Sequence, residues 1–320
     1  MEMVSIKKFF AENIKRFKRI FLGYSFNDKL AILGVAVLQS APNPIRKRIP
    51  KLEKMIDQLW YSTIVEMNGI SYFLLDRQSF EIVLPEFESF MKAWFEPRRG
   101  EIFIDIGAYI GKYALHVAKI VGNEGMVLAV EPHPINYQAL VRNIELNKIR
   151  NVIPINLAAW NVDTKLKFFV GETTARHSIK ANMGLGCLEV EARELDHVLS
   201  GYNKIDWIKI DVEGAEYETL CGLEQVISKC RPKIIIEVFS KNVDKVKGFF
   251  KKHEYQLVRI THFPLSSVES CFYFFCVPES AIKSEDVQRT RQNVFQKRGG
   301  DPSTVLATVL GVKYGCGHRT

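Results

Sequence analysis

Three groups of carboxylates carry the chemistry that this sequence offers, each set where a short apolar run gives way to a polar loop. The first is Asp105-Ile-Gly107-Ala108-Tyr109-Ile-Gly111-Lys-Tyr113. The apolar run at 101–106 predicts a strand and the run at 110–121 a helix, so the segment is a strand-to-helix turn. In open α/β sheets, ligands sit at the carboxyl ends of strands, where the strand order reverses. Gly107 permits a tight turn, and Gly111 lets the helix backbone approach a ligand or the strand closely. Asp105, at the strand end, can accept a hydrogen bond from an ammonium group or orient the turn. A dinucleotide fingerprint needs G-x-G-x-x-G, but counting from Gly107 the later glycine places hold Tyr109 and Lys112. A carboxylate in this turn suits a cationic amino-acid moiety better than a pyrophosphate, which prefers bare N–H groups at a helix start.

The second group is a single acid. Val127-Leu-Ala-Val130-Glu131-Pro132 places Glu131 at the end of the next strand, 20 residues after Gly111. That is where a ribose-binding carboxylate is expected, since one carboxylate can accept both vicinal hydroxyls. The third group lies in Lys209-Ile-Asp211-Val-Glu213-Gly214-Ala-Glu216 and in Ile234-Ile-Ile-Glu237. Asp211 and Glu213 are two apart and share a side while the strand persists. Glu216 falls in a first helical turn, where a capping role suits it better. Glu237, at the tip of an isoleucine-rich strand, needs a partner. Carboxylates that converge repel unless one is protonated or a cation joins them. The candidate cations are a sulfonium ligand, Lys209 and a divalent metal. A hard metal wants six oxygen ligands where only about three are evident. The metal is therefore not favoured; were one bound, Asp211 and Glu237 would hold it.

Taken together, these residues resemble the FkbM-type methyltransferases. That family carries a D-x-G-A-x-x-G-x-Y loop, E-P at the second strand end, N-x-x-L-N at a helix end, and K-I-D-V-E-G-x-E after the fourth strand. Here they stand as Asp105 to Tyr113, Glu131-Pro132, Asn143-Ile-Glu-Leu-Asn147 and Lys209 to Glu216, and Arg193-Glu-Leu195-Asp196 is similar to the family's T-L-D segment. The likeness spans residues 61–277; it departs at Tyr109, where Asn is usual. It implies a Rossmann-like class I sheet, S-adenosylmethionine as cofactor, and O-methylation of a sugar or other small hydroxylated molecule. It implies that Asp105, Gly107 and Gly111 meet the methionine part of the cofactor and Glu131 its ribose. Ala108, Tyr109, Tyr113, Pro132, Ala158 and Asp211 complete the expected cofactor-binding set, and Glu213 falls beside the substrate. A hydroxyl nucleophile must lose its proton, and the candidate bases are Asp211, His177 and Glu237. A solvated loop position is the competing reading for His177.

The elements that must position these groups follow from periodicity. Strands at 101–106, 125–130, 151–157, 207–211 and 233–238 alternate with helices, which predicts a mostly parallel sheet covered on both faces. The runs at 255–260 and 271–277 have no helix between them and should pair antiparallel. Extra strands are expected at 166–170 and 188–192. Ahead of this domain, Asn68-Gly69 predicts a hairpin between 63–67 and 70–75, with a further strand at 80–84. The chain thus reads as a basic helical extension (1–60), a hairpin and helix leading into the core (61–100), a cofactor-binding domain (101–278) and a polar basic tail (279–320).

The net charge of +8 sits mainly at the ends: Lys7, Lys8, Lys15, Arg16, Lys18 and Arg19 fall in the first 22 residues. Such termini favour anionic partners. Residues 3–22 read as an amphipathic helix packed on the domain, or as a peripheral membrane contact. The apolar run 30–38 is far short of a membrane span, and the long segment before it argues against a signal peptide. A nucleic-acid substrate is disfavoured. Asp211-Val-Glu-Gly stands where adenine methyltransferases carry N/D-P-P-Y/F, and Cys230 follows a helix rather than a proline. A non-catalytic scaffold acting through the basic ends is the remaining alternative. The six cysteines show no C-x-x-C spacing, which argues against zinc and a disulfide framework and fits a reducing, cytoplasmic compartment. The acceptor pocket is expected from 171–187 and the first 60 residues.

Overall fold

The computed structural model describes residues 12–40, 49–89, 91, 94–169, 186–264 and 270–281. Residues 12–18 are helical, and a short 3-10 turn, Arg19–Leu22, leads to helix α1 (Phe26–Ser40), which packs against α2 (Pro50–Trp60). Phe17 and Phe21 stay exposed on this first segment, while Ile20 and Leu22 lean on the core. No helix among the described residues is long and apolar enough to cross a membrane.

The hairpin forms where Asn68-Gly69 predicts it. Strands β1 (Ile64–Met67) and β2 (Ile70–Phe73) pair with Met67 opposite Ile70, and both turn residues take the left-handed φ that a two-residue hairpin needs. The strand expected at 80–84 is instead part of a helix, α3 (Arg77–Val83). Asp76 decides this. Its Oδ1 accepts the Ser79 N–H at 2.7 Å, and Ser79 Oγ accepts the Asp76 N–H at 3.0 Å. This capping box starts a helix whose Phe80 and Val83, three apart, are buried on one face.

The domain that follows runs β3 (Ile102–Ile106), α4 (Lys112–Val121), β4 (Met126–Val130), α5 (Pro134–Leu146), β5 (Val152–Ile155), β6 (Ala158–Trp160), β7 (Thr164–Phe169), β8 (Cys187–Glu194), α6 (Leu195–Val198), β9 (Trp207–Ile210), α7 (Glu216–Cys221), α8 (Glu224–Cys230), β10 (Lys233–Phe239), α9 (Val243–Lys252), β11 (Tyr255–Pro264) and β12 (Ser270–Pro278). Seven strands form one sheet in the order β11-β12-β10-β9-β3-β4-β5. The five strands from β10 to β5 are parallel, and β12 is antiparallel to both its neighbours. This is the Rossmann-like, mostly parallel sheet with an antiparallel last strand. β6, β8 and β7 form a separate small sheet around Phe168 and Val190.

The sheet is buried on both faces, as its apolar runs require. Phe103, Val127 and Trp207 face α4, α5 and the N-terminal helices. Ile104, Leu128 and Ile208, one residue further along each strand, face α7 to α9. Successive crossovers step outward from β3 through β4 to β5 and from β9 to β10. The strand order therefore reverses between β3 and β9, and open α/β sheets bind their ligands at such a junction.

The two asparagines of Asn143-Ile-Glu-Leu-Asn147 tie the hairpin to this domain. Asn143 Oδ1 accepts the Phe73 N–H at 2.6 Å, and Asn147 Oδ1 accepts the Ser71 N–H at 2.8 Å. Asn147 Nδ2 returns a bond to the Ser71 carbonyl at 2.7 Å. Residues four apart on a helix advance about 6 Å, and residues two apart on a strand about 6.6 Å. Two helical amides can therefore satisfy the free edge of β2 in the manner of a neighbouring strand.

Candidate functional site

The turn after β3 is fastened at several points. The N–H groups of Gly107 and Ala108 both reach the Val130 carbonyl, at 2.9 and 3.0 Å, and the Asp211 N–H reaches the Ile106 carbonyl at 3.0 Å. Gly107 has φ +81°, and a Cβ there would lie 1.8 Å from the Asp211 carbonyl oxygen. Glycine at this place lets the ends of β3 and β9 come together. Gly111 has φ +96°, and a Cβ there would lie 2.8 Å from the Leu140 side chain of α5 and 3.2 Å from that of Leu115. Tyr109 also has a left-handed φ, +53°. That conformation explains the usual Asn at this position, because Asn tolerates it with less strain than an aromatic residue.

Asp105 is 1% exposed at the end of β3. Neither carboxylate oxygen takes a well-formed hydrogen bond; the Lys209 ammonium stands 4.0 Å away, and the Ala114 N–H gives the charge weak support. Burial raises its pKa to about 6 against the pull of Lys209, with Asp211 adding repulsion. Glu131, 5% exposed, follows β4. Its Oε2 accepts the Tyr109 N–H at 2.8 Å, and its Oε1 accepts the His133 N–H at 3.0 Å and the Asn136 amide at 3.3 Å. Burial outweighs these donors and lifts its pKa to about 7. The crevice thus holds one buried carboxylate with spare acceptor capacity and a second that grips the turn.

Beside it lies a carboxylate cluster. Glu88, Asp211 and Glu237 each present an oxygen within 4.8 Å of the others. Lys209 Nζ, almost fully buried, pairs with Asp211 Oδ2 at 3.0 Å; burial lowers its pKa, but Asp211, Asp105 and Glu88 together raise it. The Tyr273 hydroxyl lies 2.7 Å from Glu237 Oε2 and 2.8 Å from Glu88 Oε1. One hydroxyl has one hydrogen, so it donates to one acid and accepts from the other. Glu237 is the protonated partner: burial first, then repulsion from Asp211, holds its pKa well above the usual carboxylate range. Glu88 then accepts from Tyr273 and from the Tyr113 hydroxyl. Glu88, Asp211 and Glu237 are the oxygens that a divalent cation would use here, and Lys209 offsets part of their charge without one.

The expected residues land unevenly. Asp105, Gly107, Ala108 and Glu131 frame the crevice at the strand reversal. Tyr113 opens α4 with its hydroxyl on Glu88 and its ring 4.9 Å from Lys209 Nζ. Pro132 lies in the loop before α5, with its carbonyl held by the Asn156 amide at 3.1 Å. Ala158 is buried in the small sheet with Phe168, Val190 and Ala192, so its side chain faces that core rather than the crevice. Glu213 has a left-handed φ of +49° past the end of β9, and so it does not extend the strand face of Asp211. It stays near enough to push Glu237 upward, but Glu88 takes the third place in the cluster. Glu237 sits two residues inside β10 rather than at its tip. His177 lies outside the described residues. Glu216 is structural: it is fully buried, accepts the Gly214 N–H at 2.8 Å and bonds the Asn242 amide. Glu88 and Tyr273 escaped the sequence reading. Tyr273 had a signal, because it is the phenol in a phenylalanine-rich strand directly opposite Glu237; Glu88, in an aperiodic stretch, had none.

Comparison with known proteins finds likenesses over parts of the chain. A 73-residue stretch is 40% identical to the tRNA(Phe) (4-demethylwyosine(37)-C(7)) aminocarboxypropyltransferase of Methanocaldococcus jannaschii, covering 23% of this chain and 28% of that enzyme. The chain thus matches under a third of that relative's length. Over 211 residues it is 23% identical to methyltransferase sdnD of Sordaria araneosa, covering 55% of this chain and 81% of the relative. A solved FkbM methyltransferase from Methylobacillus flagellatus is 16% identical with a TM-score of 0.43, over 82% of this chain and 59% of that one. Residues 105–257 match the family model described as the methyltransferase FkbM domain, and this segment, from the buried acid of β3 to the start of β11, belongs to that methyltransferase family.

Proposed function

We propose that the chain is an S-adenosylmethionine-dependent methyltransferase that methylates a hydroxyl of a small molecule. The observation that carries this reading is Asp105, a fully buried carboxylate with no well-formed hydrogen bond at the strand reversal. Lys209, 4.0 Å from one oxygen and already paired with Asp211, neutralises it only in part, so the site has room for a second cationic group, and the α-ammonium of a methionine moiety is one. Glu131, at the next strand end, is set to receive the ribose hydroxyls. The bound cofactor would supply an electrophilic methyl group on a positively charged sulfur.

The chain's own residues would bind, orient and manage the proton. The acceptor hydroxyl is a poor nucleophile until it sheds its proton. Asp211, with 26% of its side chain exposed and held by Lys209, is the accessible carboxylate of the cluster and the proposed base. Burial and repulsion from Asp211 favour the neutral form of Glu237, so it suits a proton donor to Tyr273, 2.7 Å away, better than a base. His177 stays a candidate second base. Positioning accounts for much of the rate, because the leaving group is already activated.

The test pairs calorimetric titration of S-adenosylmethionine with turnover. Asp211→Asn is expected to cut kcat by about 100-fold or more while changing cofactor affinity little. Equal losses in both would contradict a catalytic role. A nucleic-acid acceptor is the second reading, favoured by the stretch shared with a tRNA-modifying enzyme and by the basic termini. The acids at the mouth of the crevice oppose it by repelling phosphates. Labelled methyl transfer to bulk tRNA separates the two.

A further inference from the structure

A cavity of about 210 Å³ lies between the β1–β2 hairpin, the stretch that follows α3, and the outer face of α4. Its wall is largely apolar: Ile70, Tyr72, Val83, Met91 and Phe95 contribute to it. The polar side chains on it are Asn68, Tyr72, Glu88, Lys112, Tyr113 and His116, and the informative one is Glu88. This residue lines the cavity and is also the third member of the carboxylate cluster with Asp211 and Glu237. Tyr113 belongs to both places too, with its hydroxyl on Glu88. The cavity therefore abuts the polar network that surrounds the proposed base. Close-packed interiors leave few voids larger than a water molecule, and a dry apolar cavity of about 150 Å³ already holds benzene. This one is larger and has its carboxylate where it meets the site.

We propose that this cavity receives the apolar body of the acceptor, so that the substrate is a hydroxyl carried on a mainly apolar small molecule rather than a sugar. This rests on the methyltransferase reading above and narrows its substrate class. The apolar body is buried against the hairpin, and its hydroxyl end is directed toward Glu88 and Asp211. A sugar is polar on every side and would leave most of its hydroxyls without partners against this wall, a costly arrangement. The acceptor pocket then comes from residues 67–116, and the hairpin, docked through Asn143 and Asn147, becomes one of its walls.

The experiment uses 2-naphthol as an apolar hydroxylated probe and methyl glucoside as a polar one, each titrated calorimetrically into the full chain with S-adenosylmethionine titrated separately. Val83→Phe fills the cavity and Met91→Ala enlarges it; neither residue touches the cofactor crevice. The expected result is that wild type binds 2-naphthol in preference to methyl glucoside. Val83→Phe should weaken 2-naphthol at least tenfold with cofactor affinity unchanged. Met91→Ala, which guards against a filled variant that fails to fold, should favour 2-hydroxyanthracene over 2-naphthol relative to wild type. The inference is overturned if 2-naphthol does not bind, if it binds both variants as it binds wild type, or if methyl glucoside is the better ligand. Each of those outcomes leaves the methyltransferase reading standing as long as S-adenosylmethionine binds. Failure of the cofactor to bind, with the cavity still taking 2-naphthol, sinks that reading instead.

Discussion

Replacing Asp105 by Asn should stabilise the ligand-free protein at pH 8 and impair cofactor binding in the same molecule. Asp105 has a folded-state pKa of about 6 against an ordinary 3.8, because burial disfavours its charge. A raised carboxylate pKa means that the associated stability is full below pH 3.8 and is lost as pH rises through about 6. At about 1.4 kcal/mol per pKa unit, the loss is about 3 kcal/mol at pH 8 and roughly half that at pH 5. Asn mimics the neutral acid in size and removes this dependence, while Lys209 keeps Asp211 at 3.0 Å as its counter-charge. The assay is urea unfolding of both proteins at pH 5 and pH 8, with cofactor titration alongside. The variant should be the more stable at pH 8, by a margin that shrinks toward pH 5, and its affinity for S-adenosylmethionine should fall at least tenfold. A variant that is less stable at pH 8 and binds the cofactor as wild type does would refute both the burial argument and the assigned role.

Other substitutions probe the supports. Gly107→Ala puts a Cβ 1.8 Å from a backbone carbonyl at φ +81° and should destabilise by about 3 kcal/mol or more, read by thermal unfolding. Gly111→Ala meets side-chain atoms alone, Leu140 at 2.8 Å and Leu115 at 3.2 Å, and should cost less, about 1–2 kcal/mol. Asn143→Ala leaves the buried Phe73 N–H without its acceptor and should cost about 2–3 kcal/mol. The loss should show in faster amide exchange at Phe73 before the central strands respond.

What was legible in the sequence follows the strength of local signals. The central strands are apolar on both faces, so runs such as Ile234-Ile-Ile announce a buried parallel sheet without help from context. The missing helix between β11 and β12 announces the antiparallel closure, and Asn68-Gly69 announces its hairpin because few other residues enter that turn. The short apolar run at 80–84 misled, since its fate is set by a cap four residues upstream. Gly107 was read correctly as a tight turn, but the body it must clear, the Asp211 carbonyl, belongs to a strand about a hundred residues away. Glu88 is the clearest limit. Nothing near it in the chain shows periodicity, and only the docking of the hairpin segment against α4 brings its carboxylate to Asp211 and Glu237. The role of the two asparagines was equally hidden, because the edge they satisfy lies in an element far earlier in the sequence.

The central claim is that the strand reversal at β3, beside the end of β4, receives a cation through buried acids that are partly protonated while it is empty. Titrating S-adenosylmethionine at pH 6.5 in two buffers of different ionisation enthalpy tests this directly. With pKa values of about 6 for Asp105 and about 7 for Glu131, binding should be 1:1 and should release protons as the two acids ionise around the ligand. Wild-type release should exceed that of Asp105→Asn. Absence of binding, or binding with no buffer dependence and no effect of the Asp105 substitution, would contradict the account.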